Sequence, residues 1–142
     1  MLKLYGFSKV NPDARGHTRD LRVLWALDEM QLPFEIAGMD HPAHDLDTET
    51  YRRMSPFEQI PSIDDDGLVI SESAAILASL ARKTGRLTPP DRAGEAQVLR
   101  WCFAAMNTVE PHARVKACRD RRFARPAWQR VIEAYCAPVE AC

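Results

Sequence analysis

Apolar positions recur along the chain with two periods, and the switches between them mark its elements. Lys3 to Gly6 is a short apolar and aromatic run closed by glycine, which predicts a first strand. Ser8 to Arg19 is polar and carries turn signals in Asn11-Pro12-Asp13 and Gly16, so a loop is expected there. From Thr18 the pattern becomes helical: Leu21, Leu24, Trp25 and Asp28 are spaced by one turn, and Leu27 and Met30 widen the stripe. This helix should end near Gln31, before Pro33. Phe34 to Ala37 predicts a second strand, and the polar stretch Asp40 to Tyr51 a loop with a short helix.

The run Ile60-Pro61-Ser62-Ile63-Asp64-Asp65-Asp66-Gly67-Leu68-Val69-Ile70 places two apolar segments around Asp-Gly, a pair that accepts the positive φ angles of a tight hairpin turn. Ser71 to Ser73 can cap a helix with Ile76, Leu77 and Leu80 on one face, stopped by Gly85. Asp91 can cap a long helix to about Val109, with Val98, Trp101, Cys102 and Ala105 along one side and Pro111 at its end. Pro126 suits the first turn of a last helix, whose apolar face is Trp128, Val131, Ile132 and Tyr135. The fold class is therefore α/β: a βαβ unit, a ββα unit and a helical appendage, sharing a mixed four-stranded sheet. The boundary falls at Leu87 to Asp91, around Pro89-Pro90, which gives domains 1–86 and 91–142.

Composition narrows the function classes. The chain has 142 residues, 46% of them hydrophobic and 27% charged, enough apolar content to exclude a disordered segment. A net charge of −1 argues against a nucleic-acid partner, which requires a basic surface. No apolar run approaches the ~20 residues that span a bilayer. The start, Met1 to Gly6, is not that of a signal peptide, so a cytoplasmic location is expected. Charge is uneven: residues 1–112 carry a net of −5 and residues 113–142 a net of +4. Cys102, Cys118, Cys136 and Cys142 have neither redox-pair nor zinc-ligand spacing and read as reduced thiols. Asp40, His41, His44 and Asp45 form no recognised ligand set, so no metal is expected, and Arg119, Arg121, Arg122 and Arg125 read as a solvated approach to the last helix.

One constellation goes beyond packing. Ser55-Pro56-Phe57-Glu58-Gln59-Ile60-Pro61 precedes the hairpin and Ser71-Glu72-Ser73-Ala74-Ala75-Ile76 follows it. A cis Ile60–Pro61 bond would turn the Ile60 backbone toward a ligand. Glu72 and Ser73 lie where a strand gives way to a helix, whose free N–H groups attract a carboxylate, while Glu72 supplies the charge for an ammonium. Carboxylate and ammonium on neighbouring atoms describe an α-amino acid, such as the γ-glutamyl end of glutathione.

At these residues the sequence resembles the glutathione S-transferase family. The matching segments are Lys3 to Gly6, Arg22 to Glu29, Gln59-Ile60-Pro61, Asp66-Gly67 and Ser71 to Ile76. The resemblance covers residues 1 to about 112 and resumes at Arg125 to Arg130, which is similar to the family's final helix. It implies a thioredoxin-like first domain that binds glutathione: Ile60 pairs with the cysteinyl backbone beside cis-Pro61, Glu72 and Ser73 hold the γ-glutamyl group, and Gln59 reaches the glutathione backbone.

The chemistry it implies is thiol activation. A thiol of pKa ~8.5 is mostly protonated at neutral pH, and the thiolate is the nucleophile. The family supplies a stabilising donor from the loop after the first strand. Ser8 is favoured as that catalytic hydroxyl because it follows the strand soonest; Thr18, Tyr5 and the cations Arg15 and Arg19 stay open as alternatives. The absence of cysteine from this loop argues against glutaredoxin-like chemistry.

The resemblance breaks in the second domain. The segment that normally joins the two helices, with its Ser/Thr-x-x-Asp capping motif, has no counterpart between Ala113 and Arg125, which implies a shortened, truncated all-α region. Trp101, Phe103 and Met106 would then stand open, and a homodimer or swapped assembly is expected to cover them. Two functions follow: a transferase joining glutathione to an unknown electrophile, or a non-catalytic glutathione-binding or protein-interaction module without an electrophile pocket.

Overall fold

The computed structural model describes residues 1–10, 14, 16–110 and 124–135. Strand β1 (Leu2–Lys9) leads to α1 (Asp20–Met30) and β2 (Phe34–Asp40), then a 3-10 turn (Asp45–Asp47) and the short α2 (Glu49–Met54). The hairpin β3 (Ser62–Asp65) and β4 (Leu68–Ser71) precedes α3 (Ser73–Thr84). Beyond it come α4 (Arg92–Ala104), a π-helical turn (Ala105–Val109) and α5 (Pro126–Tyr135). The sheet order is β2-β1-β3-β4, with β1 parallel to β2 and antiparallel to β3. This is the expected thioredoxin-like arrangement, a βαβ crossover followed by a hairpin.

Period-two alternation gives the sheet two covered faces. Leu2, Leu4 and Ile63 point toward α1 and α3, where Leu21, Leu24, Leu27, Ile76 and Leu80 complete the main core. Trp128 and Val131 of α5 extend that core beyond α1. Tyr5 and Phe7 point the other way, against Leu46, Tyr51 and Ile60. The hairpin turns as its Asp-Gly pair predicts: Asp66 and Gly67 both have positive φ, 53° and 93°, the combination that matches strand twist in a two-residue turn. Gly85 closes α3, and Asp91 caps α4 by accepting the Gly94 N–H at 2.9 Å.

Several expectations are corrected. Strand β1 does not stop at Gly6 but pairs with β2 as far as Lys9, so Ser8 is a strand residue rather than a loop residue. The pairing slips between Phe7 and Lys9, leaving Ser8 as the extra residue of a bulge. Its side chain passes over Gly38, where a Cβ would lie 2.7 Å from the Ser8 Cβ; only glycine permits this approach. Ser73 is not a cap: α3 starts on it, and Glu72 holds the cap position without a capping hydrogen bond. Trp101 and Phe103 are exposed, at 62% and 64%, but Met106 is half-buried because it packs back onto α1 and α3. Arg125 is not simply solvated: it pairs with Glu29 and stacks 5.2 Å from the centre of the Trp25 ring. Cys118, Cys136, Cys142, Arg15, Arg119, Arg121, Arg122 and the Asn11-Pro12-Asp13 turn lie outside the described residues.

Candidate functional site

A small cleft opens at the ends of β3 and β4, between the loop before β3 and the start of α3. Its walls are Arg19, Ser55, Gln59, Ile60, Pro61, Ser71, Glu72 and Ser73. The loop is shaped from below. Tyr51 is buried in α2, and its hydroxyl donates to the Gln59 carbonyl at 2.8 Å. Buried Ser55 donates to the same carbonyl at 2.9 Å and accepts the Gln59 N–H at 3.2 Å. Burial pushes the Tyr51 phenol up, against smaller opposing contributions from Ser62 and Ser55, so it serves as a neutral donor. These bonds fix the Gln59 backbone and leave its side chain exposed at the rim. The Ile60–Pro61 bond is cis, and both residues are buried under the cleft floor, ahead of the ladder that begins at Ser62.

The opposite wall is the junction of β4 and α3. Glu72 has φ 71° and ψ 113°, a left-handed-side conformation that costs a non-glycine residue about 1–3 kcal/mol. It turns the exposed Glu72 side chain to the rim while buried Ser73 opens α3. The first N–H groups of α3 receive no bond from the cap side chain, so the helix presents donors and the positive end of its dipole. Arg19, just before α1, supplies a cation at the third side. Its Nη1 donates to the Gln59 Oε1 at 3.3 Å and its Nε to the Glu110 Oε1 at 3.1 Å. The cleft thus combines an acid, a cation and helix-terminal donors within one small volume, a set suited to a zwitterionic amino-acid group.

The family model described as "Glutathione S-transferase, N-terminal domain" matches residues 21–83. Glutathione S-transferase 3 of Schizosaccharomyces pombe is 34% identical over 82 residues, 58% of this chain and 34% of that protein. Among solved structures, a glutathione transferase from Burkholderia graminis, determined with two glutathione molecules bound per subunit, is 32% identical with a TM-score of 0.66. It is matched over 78% of this chain and 45% of its own. A diazinon-metabolizing glutathione S-transferase of the silkworm, Bombyx mori, is 27% identical with a TM-score of 0.69, over 95% of this chain and 62% of its own. Residues 21–83 of the chain thus match the N-terminal domain of glutathione S-transferases. The chain spans about a third of the length of the curated relatives it matches.

Within the matched segment, Gln59, Ile60, Pro61, Glu72 and Ser73 all line the one cleft, although the hairpin separates them in sequence. Ser8 is not among the lining residues; it stands exposed on the last part of β1. Of the alternatives to it, Tyr5 faces Tyr51 with ring centres 6.2 Å apart, Thr18 is half-buried ahead of α1, and Arg19 lines the cleft. The polar loop after β2 uses its carboxylates internally. Asp45 Oδ2 accepts the Asp40 N–H at 2.8 Å, Asp47 pairs with His44 at 2.8 Å and Asp40 with Lys9 at 2.8 Å.

Sequence reasoning missed Tyr51 and Ser55 as supports of the Gln59 loop. A tyrosine in an otherwise polar helix, and a serine four residues before Gln59, were the available signals. It also missed Asp20, a carboxylate 4% exposed, whose Oδ2 accepts the Phe7 N–H at 2.9 Å and so ties α1 to β1. Glu110 was missed because its partners Arg19 and Arg22 are some ninety residues away in sequence, beyond any local pattern.

Proposed function

We propose that this chain binds glutathione in the cleft, with Glu72 and Ser73 on the γ-glutamyl group, the Ile60 backbone beside Pro61 on the cysteinyl segment and Gln59 on the peptide backbone. The observation that carries this reading is the convergence of these residues with an uncapped α3 and a Glu72 held at φ 71°. Backbone strain of this kind is retained where it presents a side chain or a donor to a ligand. The bound structure of the Burkholderia graminis relative, with glutathione in it, supports the choice of ligand. Calorimetric titration tests it: Glu72→Ala should weaken binding by about tenfold or more, the loss of a charged hydrogen-bonded contact. Wild-type binding that Glu72→Ala leaves unchanged would sink the assignment.

As a transferase the chain would deliver the glutathione thiolate to an electrophile, with Ser8 as the stabilising hydroxyl and residues 91–142 as a shortened helical domain beside residues 1–86. The position of Ser8, outside the cleft lining, favours the second reading, a glutathione-binding module without transfer. A conjugation assay with a chloronitrobenzene substrate separates the two. Transfer through Ser8 requires wild-type turnover that Ser8→Ala lowers, whereas the binding module gives none above the uncatalysed rate. A cytoplasmic homodimer is part of the same reading, supported by exposed Trp101 and Phe103 on α4 and by the lack, among the described residues, of a helix able to cross a membrane. Light scattering coupled to size exclusion that shows only monomer would remove the dimer.

A further inference from the structure

The end of the long helical segment packs back onto two of the residues that line the cleft, Arg19 and Ser73. Met106, in the π-helical turn, and Glu110, one residue past it, both face the start of α1, and Met106 also faces the start of α3. The Met106 sulfur accepts from Arg22 Nη1 at 3.1 Å and from the Ser73 hydroxyl at 3.7 Å. Glu110 Oε1 accepts from Arg19 Nε at 3.1 Å. Its Oε2, buried and without hydrogen-bond alignment, lies 3.1 Å from Arg22 Nη2 as an ion pair. Arg19 passes the contact on through Nη1 to the Gln59 side chain at 3.3 Å.

We propose that Glu110 is a positioning residue for the cleft: it clamps the Arg19 guanidinium so that Nη1 holds the Gln59 side chain. The geometry argues for this over a plain surface pair. A guanidinium gripped at Nε has its plane fixed, so the direction of its Nη1 donor is fixed with it. Gripped only by a neutral amide at 3.3 Å, the long side chain would spread over many rotamers. Burial of Glu110 works against its charge, and Arg19 and Arg22 outweigh it, holding the carboxyl below the ordinary 4.5 and ionised at neutral pH. The clamp links the helical segment to the Gln59 side of the cleft, and Met106 links it to the Ser73 side. A change at the end of α4 is therefore transmitted to both walls of the ligand site.

The consequence for glutathione rests on the reading above, so the test has two arms. In the first, without ligand, the side-chain amide signal of Gln59 is followed by NMR. Glu110→Gln should shift it, Arg19→Gln and Arg19→Lys should shift it alike, and Glu110→Gln added to Arg19→Gln should move it no further. A lysine keeps the charge but lacks the fork, so it separates geometry from charge. In the second arm, calorimetry should show Glu110→Gln weakening glutathione binding about three- to tenfold, non-additively with Arg19→Gln. A Gln59 signal unmoved by Glu110→Gln, or moved equally in the Arg19→Gln background, overturns the clamp. A responsive Gln59 in a protein that binds no glutathione overturns the ligand reading and leaves the clamp standing.

Discussion

Trp25 and Trp128 meet edge to face, with ring centres 5.7 Å apart and planes at 82°. The geometry sets the positive edge of one ring against the negative face of the other. It joins α1 to α5 at the far end of the described chain. Trp128 is 3% exposed, whereas Trp101 is 62% exposed with Arg100 over its ring. Trp128→Ala should therefore cost about 3–5 kcal/mol, the range for emptying a large aromatic site. Trp101→Ala should stay within about 0.5 kcal/mol in the monomer. Urea unfolding followed by circular dichroism measures both, and equal effects would contradict the assignment of α5 to the core.

Ion pairs reinforce that junction, and one carries a pH signature. Arg125 and the Trp25 indole N–H both donate to Glu29 Oε1, and Arg130 pairs with Asp28 one residue away. The Arg125 bond, then the Trp25 bond, hold the Glu29 carboxyl below its ordinary 4.5. A depressed folded pKa stabilises the protein fully above 4.5, and the contribution disappears as pH falls through the lower folded value. Glu29→Gln should thus lower stability by up to about 1 kcal/mol at pH 7. The gap to wild type should close as the pH drops below 4.5. A gap constant from pH 7 to acid would show that the charge is not the source.

Asp20 gives a prediction at the junction of β1 and α1. Its carboxylate accepts from Phe7 N–H at 2.9 Å and from its neighbour Leu21 N–H at 3.1 Å, at a site 4% exposed. Asp20→Ala leaves the Phe7 donor without this acceptor and should cost about 1–3 kcal/mol in urea unfolding, while Asp20→Asn keeps an acceptor oxygen and should cost less. Equal losses would show that filling the space, not accepting the bond, is what matters there.

What the sequence revealed follows from the range of the interactions. Periodicity located α1 and α3, because Leu21, Leu24 and Leu27 or Ile76 and Leu80 announce a buried face over one or two turns, whereas the polar stretch from Asp40 to Tyr51 carried no such stripe to place α2. The five cleft residues were legible for a similar reason: two short motifs each place a strand end or helix start, and a tight hairpin brings the motifs together. Strand ends were read less well. Gly6 looked like a terminator, yet pairing with β2 carried β1 through a bulge to Lys9, and a bulge has no local periodicity. The contacts of Glu110 with Arg19, and of Trp128 with Trp25, join the ends of the chain, and nothing in either local pattern names the partner.

The support beneath Gln59 gives the last prediction. Two hydroxyls converge on its carbonyl, from Tyr51 at 2.8 Å and Ser55 at 2.9 Å, and the Tyr51 oxygen also lies 3.4 Å from the Ser62 hydroxyl. Tyr51→Phe removes one donor but keeps the ring packed against Tyr5, so the fold should lose only about 1 kcal/mol. Ser55→Ala removes a donor to the carbonyl and the acceptor of the Gln59 N–H, and should cost more, about 1–3 kcal/mol. Both loosen the loop that sets Gln59 and Ile60 at the cleft, so glutathione affinity should fall in the same order, Ser55→Ala below Tyr51→Phe below wild type. Thermal melts and calorimetric titration on the same preparations check the two rankings. Affinity that ignores both substitutions while stability follows them would show that the loop is a structural support and not part of the ligand site.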